Sequence, residues 1–522
     1  MTIGRMYERA GVVPPVRPSV TGSGLARWDR PYGAYVGYLA LIFYLFSPGR
    51  DSLPAAVVST GVFIGVQLLL RANRFSAATP LCPTNIAQFL FMDQMILMPL
   101  LVVYFGYDPG TLPFLPTPTA INTALLLSTT AYVSFAVAYQ YRTILYRRRP
   151  SITVPYTGHS LLAPRATYLL GIAFAGVGLI GFVFFFGSVS GYLSYLSNPG
   201  LQYAAPASTS SASLTQALAT FLRPFLGFAV IVVWSQWLSR ERFARMPVRS
   251  LLVTGGTLLC LLAANLNFNR GSMVMPIVAL VAAFSSRVRR IPFSVMGVIG
   301  LPTAFLVILF GTYRHEILTS PGQQIPNQGV ASLAAQTDLN SQLQVYGAAP
   351  QYLGYLLDAG GYTVDGTWGR SVLDSVLSPI PLLGKGFRTD STVAHYNLLI
   401  YGSSVSEDQV VPFVGELFWS FHVVGIVLGF LVLGLVTARL QRSFDAAISP
   451  LSAYVWCWIS IWTLLLITGS SGVTSQLYEQ DFWPVYIWCG LEILRRGASA
   501  RSATRSVKKG RFGRVAMPSR NP

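Results

Sequence analysis

Charge is scarce in this chain: only 11% of its 522 residues are Asp, Glu, Lys or Arg. Soluble domains carry about 25%, so a water-filled surroundings on all sides is excluded. Lysine is nearly absent, present only as Lys385, Lys508 and Lys509. The four cysteines (Cys82, Cys260, Cys457 and Cys489) show no CxxC or CxH spacing, which argues against a zinc site or a disulfide framework. No Walker A, HExxH, GxSxG or glycine-rich dinucleotide fingerprint occurs, so nucleotide-driven chemistry has no support. Residues 1–31 are polar, Pro-rich and basic and lack the apolar core of a cleavable signal, so the first apolar run is expected to act as the targeting signal. No internal or inverted repeat of the transporter kind is visible.

What fills the chain is apolar sequence: 52% of its residues are hydrophobic and the mean hydropathy is positive. Runs approaching the roughly 20 apolar residues that cross a bilayer recur throughout. Twelve spans are expected, near 32–47, 53–70, 86–105, 119–140, 166–187, 216–238, 250–266, 272–286, 293–311, 413–438, 451–469 and 476–494. The fold class is an all-α polytopic membrane bundle. A basic arm (1–31) precedes spans one to nine (32–311). A long loop (312–412) separates them from spans ten to twelve (413–494), and a basic tail (495–522) follows. The tail reads as a disordered extension able to touch anionic lipid.

Arginine orients the bundle. The connections "RANR" (71–74), "RTILYRRR" (142–149), "SRERFARMPVR" (239–249), "SRVRR" (286–290) and "RLQR" (439–442) are basic, as are both termini. The alternate connections 106–118, 188–215 and 470–475 contain no Lys or Arg. By the positive-inside rule this places both termini in the cytoplasm and the long loop outside. The net charge of +18 then reflects lipid and topology, and nucleic acid is not an expected partner, because the charges sit in short loops and build no basic domain.

Arginines on the outward side work against that bias and attract attention: Arg50, Arg270, Arg314, Arg370 and Arg388, with Lys385 and the within-span Arg223. About 37 residues separate Arg249 from Arg287, leaving each helix of the intervening hairpin about 17 residues or roughly 26 Å. The hydrocarbon core is about 30 Å thick. Arg270 is therefore expected at the outer boundary inside the bundle, with Asn265, Asn267 and Asn269 at the same polar tip. Arg223 and Arg314 are expected near the same depth. Guanidinium groups converging there suit a phosphate-bearing ligand; pairing with bundle carboxylates or snorkelling to the interface is the other reading.

Acidic residues show the opposite skew. Glu416, in "VPFVGELFW", is surrounded by apolar residues and suits a general base or an arginine partner. Glu479 and Asp481 are expected at the outer head of the last span, and Asp93 lies mid-span. In the long loop, His315 adjoins Arg314 and Glu316, and His395 lies in "TVAHYNLLIYG" as either a base or a structural residue. Loop aromatics (Tyr346, Tyr352, Tyr355, Tyr362, Trp368 and Tyr396) are suited either to stacking on sugar rings or to anchoring at the membrane surface.

The "NRGSMVMPIVAL" segment, the long outward loop and the "VPFVGELFWSFHVVGIVLGFLVLGL" that follows it resemble bacterial O-antigen and exopolysaccharide repeat-unit polymerases of the Wzy type, over residues 160–495. The resemblance implies a metal-independent membrane glycosyltransferase needing no cofactor. Its substrate would be polyprenyl-pyrophosphate-linked oligosaccharide, joined outside the cytoplasmic membrane, with a chain-length regulator and a flippase as further partners. It matches Arg270 and Glu416 to functional positions and makes Arg314, Arg370 and Arg388 loop arginines of the kind the family uses. Arg314 and His315 join Arg270 and Glu416 as candidate catalytic residues. Arg223, Arg370, Arg388, His395, Glu479 and Asp481 are candidates for substrate binding. A glycan ligase of similar architecture and a lipid-linked oligosaccharide flippase are the alternatives.

The topology is directly testable. Fluorescent-protein fusions after Arg148 and after the last residue are expected to fluoresce, and an alkaline phosphatase fusion within 320–340 is expected to be active.

Overall fold

The computed structural model describes residues 31–75, 80–107, 115–148, 164–192, 214–239, 246–265, 270–291, 343–344, 347–360, 368–380, 384–387, 389–401, 411–447, 449–491 and 493–494. Among them every regular element is helical. The helices are α1 (Tyr32–Leu45), α2 (Pro54–Leu69), α3 (Pro83–Phe105), α4 (Pro118–Arg148), α5 (Pro164–Phe186), α6 (Leu214–Leu222), α7 (Pro224–Leu238), α8 (Pro247–Asn265) and α9 (Arg270–Arg287). The loop region contributes α10 (Ala349–Asp358), α11 (Arg370–Leu377) and α12 (Thr392–Tyr401). Then come α13 (Phe413–Ala446), α14 (Pro450–Leu464) and α15 (Ser471–Asp481), and the chain is helical again over 483–491.

Seven of the described helical stretches are long and apolar enough to cross a membrane: α3, α4, α5, the 218–238 stretch through α6 and α7, α8, α13, and α14 with its 3₁₀ extension to Ile467. Three shorter apolar helices, α1, α2 and most of α9, coincide with further expected spans. The expected span 293–311 lies outside the described residues. The last expected span starts differently. Its helix begins at Ser471, five residues before the expected 476, because the Ser470 hydroxyl accepts the Val473 N–H and caps it.

Apolar side chains on α1 and α5 (Leu39, Ile42, Leu169, Ile172, Val183) remain exposed in the isolated chain. Such a belt is at home against lipid.

Lipid gives helices no hydrophobic reason to associate, so close packing and hydrogen bonds hold them together. The most extensive pairing joins α4 to α13. There a β-carbon on Gly434 would fall 2.3 Å from the Phe135 carbonyl oxygen, so only glycine permits the approach. Gly178 and Gly181 on α5 similarly admit the backbone of α7 and the end of α6 at Leu226 and Leu222. A buried amide network ties α2, α3 and α4. Gln67 Nε2 donates to Gln88 Oε1 (2.7 Å) and to the Asn73 carbonyl (2.9 Å), and Tyr132 Oη donates to Gln88 Oε1 (2.8 Å).

The two ends of the bundle differ in character. At one end Ala72 N–H donates to Gln140, Thr84 Oγ1 donates to Gln441 (2.9 Å), and Arg287 donates to the Phe444 and Asp445 carbonyls. Arg142 and Arg442 both lie over the Tyr146 ring. Arg71 and Arg74 are at this end too, so the basic connections gather together. At the other end Tyr104 Oη donates to the Phe43 carbonyl, Thr117 Oγ1 donates to Asp358 (2.7 Å), and Gln344 Nε2 donates to the Gly106 carbonyl (2.8 Å). This end carries α10, α11 and α12. The sorting of arginine along the sequence is thus a sorting in space.

Gly434→Ala is expected to lower the thermal stability of the detergent-solubilised protein by about 1–3 kcal/mol through overpacking. Gly490→Ala, where an added β-carbon meets nothing within 4 Å, is expected to leave the melting temperature unchanged.

Candidate functional site

Glu416 stands one turn into α13, at the loop-bearing end, and is fully buried. Its Oε2 accepts the backbone N–H of Ser471 at 2.8 Å. Ser471 opens α15, whose first N–H groups have no partners within the helix. A carboxylate there answers both an orphan donor and the positive end of the helix dipole. Glu416 Oε1 and the neighbouring Ser471 Oγ have no hydrogen-bond partner among the described residues. One carboxylate oxygen is therefore structural, and the other is enclosed beside the Ser471 hydroxyl, without a hydrogen-bond partner among the described residues.

The helices above Glu416 lock together through polar contacts. Ser375 Oγ on α11 accepts the Thr392 N–H that opens α12 (2.8 Å). Ser475 Oγ on α15 donates to the Val376 carbonyl on α11 (2.8 Å). His395, on α12, sets its ring edge-on to Trp419 with centroids 6.1 Å apart. Its Nδ1 is enclosed without a hydrogen-bond partner among the described residues, as are the Trp419 Nε1 and both amide atoms of Asn397. Buried polar atoms in this number are unusual among packed helices and are sites for ordered water or ligand. Glu416 and Trp419 lie three residues apart on α13 and so share a face.

Arg270 is the first residue of α9, so the helix opens two residues before the expected 272. Its opposite terminus, Arg287, lies at the basic end. Arg270 therefore heads its helix at the loop-bearing end, as the hairpin length requires. Its side chain, with Asn267 and Asn269, lies outside the described residues, as do Arg314, His315 and Arg388.

Arg223 joins α6 to α7, just ahead of Pro224. Its guanidinium lies 5.1 Å from the Phe185 ring centroid, within electrostatic reach of Asp481 and Tyr192. Asp481 is deeper than the head-of-span position expected for it. Because α15 starts at Ser471 and runs antiparallel to α14, Tyr478 Oη meets Thr463 Oγ1 (2.6 Å) and Phe482 stacks on Trp458 (4.6 Å). Trp458 is mid-way along α14, so Asp481 sits about half-way down the bundle. It lines a small cavity with Pro224, Gly227, Leu261, Pro276 and Tyr454. Glu479 lies on the same helix with Oε2 enclosed and without a hydrogen-bond partner among the described residues.

Arg370 is committed elsewhere: it is exposed on α11 and pairs with Asp390 (3.3 Å) and Asp374 (3.7 Å). An anion binding there would compete with both carboxylates. Asp93 is buried at the start of a π-helical turn, Asp93–Leu97, close to Gly347 of the loop region. A π-turn interrupting a helix often marks a functional position. No group of His, Cys, Asp and Glu suited to a metal ion occurs among the described residues.

Sequence reasoning missed Ser471, although "TGSSGV" carries an N-cap signal that locates it. It also missed Phe185 and Tyr192 as neighbours of Arg223, for which no local signal exists. The chain matches no known protein family, curated protein or solved structure.

Glu416→Ala is expected to destabilise the protein by about 1–2 kcal/mol, the usual cost of losing a helix cap. Glu416→Gln keeps an acceptor oxygen for Ser471 and is expected to lose less, as read by thermal unfolding in detergent.

Proposed function

We propose that this chain is a membrane glycosyltransferase that polymerises polyprenyl-pyrophosphate-linked oligosaccharide units on the outer face of the bacterial cytoplasmic membrane. In this reading it has twelve spans, cytoplasmic termini and an outward loop. The observation that carries it is the pairing of chemistries at one end of the bundle. Arg270 heads α9 there, and Glu416 is buried there with one oxygen that has no hydrogen-bond partner among the described residues.

The acceptor hydroxyl attacks the anomeric carbon of the donor sugar. The new C–O bond forms as the bond to pyrophosphate breaks, and the polyprenyl pyrophosphate departs with the electron pair. Arg270, with Arg314 and Arg223, neutralises that developing charge. Glu416 or His315 receives the hydroxyl proton. The long loop closes over the sugars, while a chain-length regulator and a flippase act on either side of this step.

A second reading, carriage of a lipid-linked oligosaccharide across the bilayer, draws on different residues. Asp481 half-way down the bundle within reach of Arg223, and Asp93 buried in its π-turn, are charges at depths where a translocation path needs them.

In a deletion strain complemented with Arg270→Ala, polymer is expected to disappear at normal expression, and Arg270→Lys is expected to restore little, since lysine lacks the bidentate fork. Polymer of ordinary length from the alanine variant sinks the polymerase role. Reconstituted protein that translocates lipid-linked glycan without forming glycosidic bonds decides for the second reading.

A further inference from the structure

The loop helix α11 is amphipathic the wrong way round for a helix on a soluble surface. Its polar residues Ser371, Asp374 and Ser375 are buried. They face the elements that α11 packs against: Ser375 bonds to the start of α12, and α11 lies along α15. Its apolar residues point outward, with Leu373 57% and Val376 37% exposed. Trp368, just before the helix, is 83% exposed. A helix beside water buries its apolar stripe and shows its polar one.

The position of α11 along the bundle supplies the reason. α13 breaks at His422 (φ 53°, ψ −148°), and its first arm, Phe413 to Ser420, folds back along the second: Leu417 abuts Gly425 and Gly429, the Phe413 and Phe430 rings lie 6.0 Å apart, and no residue of the first arm is exposed. Beyond the break the second arm shows an apolar stripe at helical spacing: Val424, Leu428, Val432 and Leu435. It ends where Arg439 begins the basic end. From 423 to 438 is 16 residues, or roughly 24 Å of helix, most of the hydrocarbon thickness of about 30 Å. Phe421, at the turn between the two arms, therefore stands at the outer end of that stripe.

The Trp368–Gly369 turn sits against that residue. A β-carbon on Gly369 would fall 2.6 Å from Phe421 Cζ, and both turn residues have positive φ (50° and 82°), which swings the chain directly into α11. The outward face of α11 thus continues the lipid-facing stripe of α13. Trp368 stands where aromatic residues concentrate in membrane proteins. Arg370 keeps its charge on carboxylates, paired with Asp390 and Asp374. Among the loop aromatics, Tyr355 and Tyr396 are buried in the core, so Trp368 is free for this role and they are not.

We propose that α11 is an interfacial helix, with Trp368, Leu373 and Val376 seated in the bilayer at the headgroup–acyl boundary of the loop-bearing end. The occupant of this face is lipid, and the inference holds whichever reading of the function is correct.

The test uses the full chain in lipid nanodiscs, in a Cys260→Ser, Cys489→Ser background; the remaining Cys82 and Cys457 are buried. Single cysteines replace Leu373 or Val376 and carry an environment-sensitive fluorophore. Val432→Cys on α13 is the lipid reference. Asp51→Cys, in the exposed turn between α1 and α2, is the aqueous reference. The α11 labels are expected to match the Val432 label, with emission shifted to the blue, quenched by brominated phospholipid and insensitive to aqueous iodide. Iodide quenching like that of the Asp51 label overturns the proposal by placing the face in water. Protection from both quenchers also overturns it, by showing that protein covers the face.

Discussion

A buried hydrogen bond at the foot of the loop layer, from the Ser471 N–H to the Glu416 carboxylate, holds two helices of the bundle together. It fixes the head of α15 against the head of α13. From α15 the connection passes through Ser475 to α11 and through Ser375 to α12. Each of these contacts uses a backbone group that a loop would otherwise leave for water. Near a bilayer water is the scarcer partner, so the serines and the single carboxylate replace it. An apolar residue at 416 would leave an orphan helix terminus at the point where the loop layer is anchored.

The same bond explains how Glu416 can be both structural and chemical. Its Oε2 is held by a donor that cannot rotate away, which fixes the plane of the carboxylate. Its Oε1 then points in a defined direction, without a hydrogen-bond partner among the described residues. A base gains from such preorganisation, because the geometry is set before a substrate arrives. Arg270 shares the logic from another helix: as the first residue of α9 its position is set by the helix axis, so its depth follows from length alone.

Much of the fold was legible because membranes simplify the code. Runs of apolar residues marked seven described helices long and apolar enough to cross a membrane and three shorter apolar helices at nearly their expected places, and the basic connections gather at one end of the bundle. What the sequence concealed depends on contacts between distant segments. Asp481 reads as the head of a span if the helix starts at 476; a serine cap moves the start to 471 and carries the aspartate half-way down α14. Arg370 reads as a free outward cation until Asp390, twenty residues away, folds back onto it. Arg270 and Glu416 were singled out by polarity in apolar surroundings, but the partner of Glu416 is a backbone amide, which no side-chain motif announces.

The glycine seam of α5 has a consequence for biosynthesis. Gly178 and Gly181 receive the backbone at Leu222 and Leu226, fewer than 50 residues downstream. The seam needs nothing from α13 or α14, which are made some 200 residues later. Helices that enter the bilayer one at a time associate when a complementary surface is at hand. The α5–α7 pair can therefore close as soon as α7 leaves the ribosome, and it waits in the membrane as a finished unit. By contrast, the α4–α13 junction at Gly434 can form only about 200 residues after the end of α7 has been made. The order of synthesis thus makes one side of the bundle early and independent. The other side, which carries Glu416, is the last to be assembled.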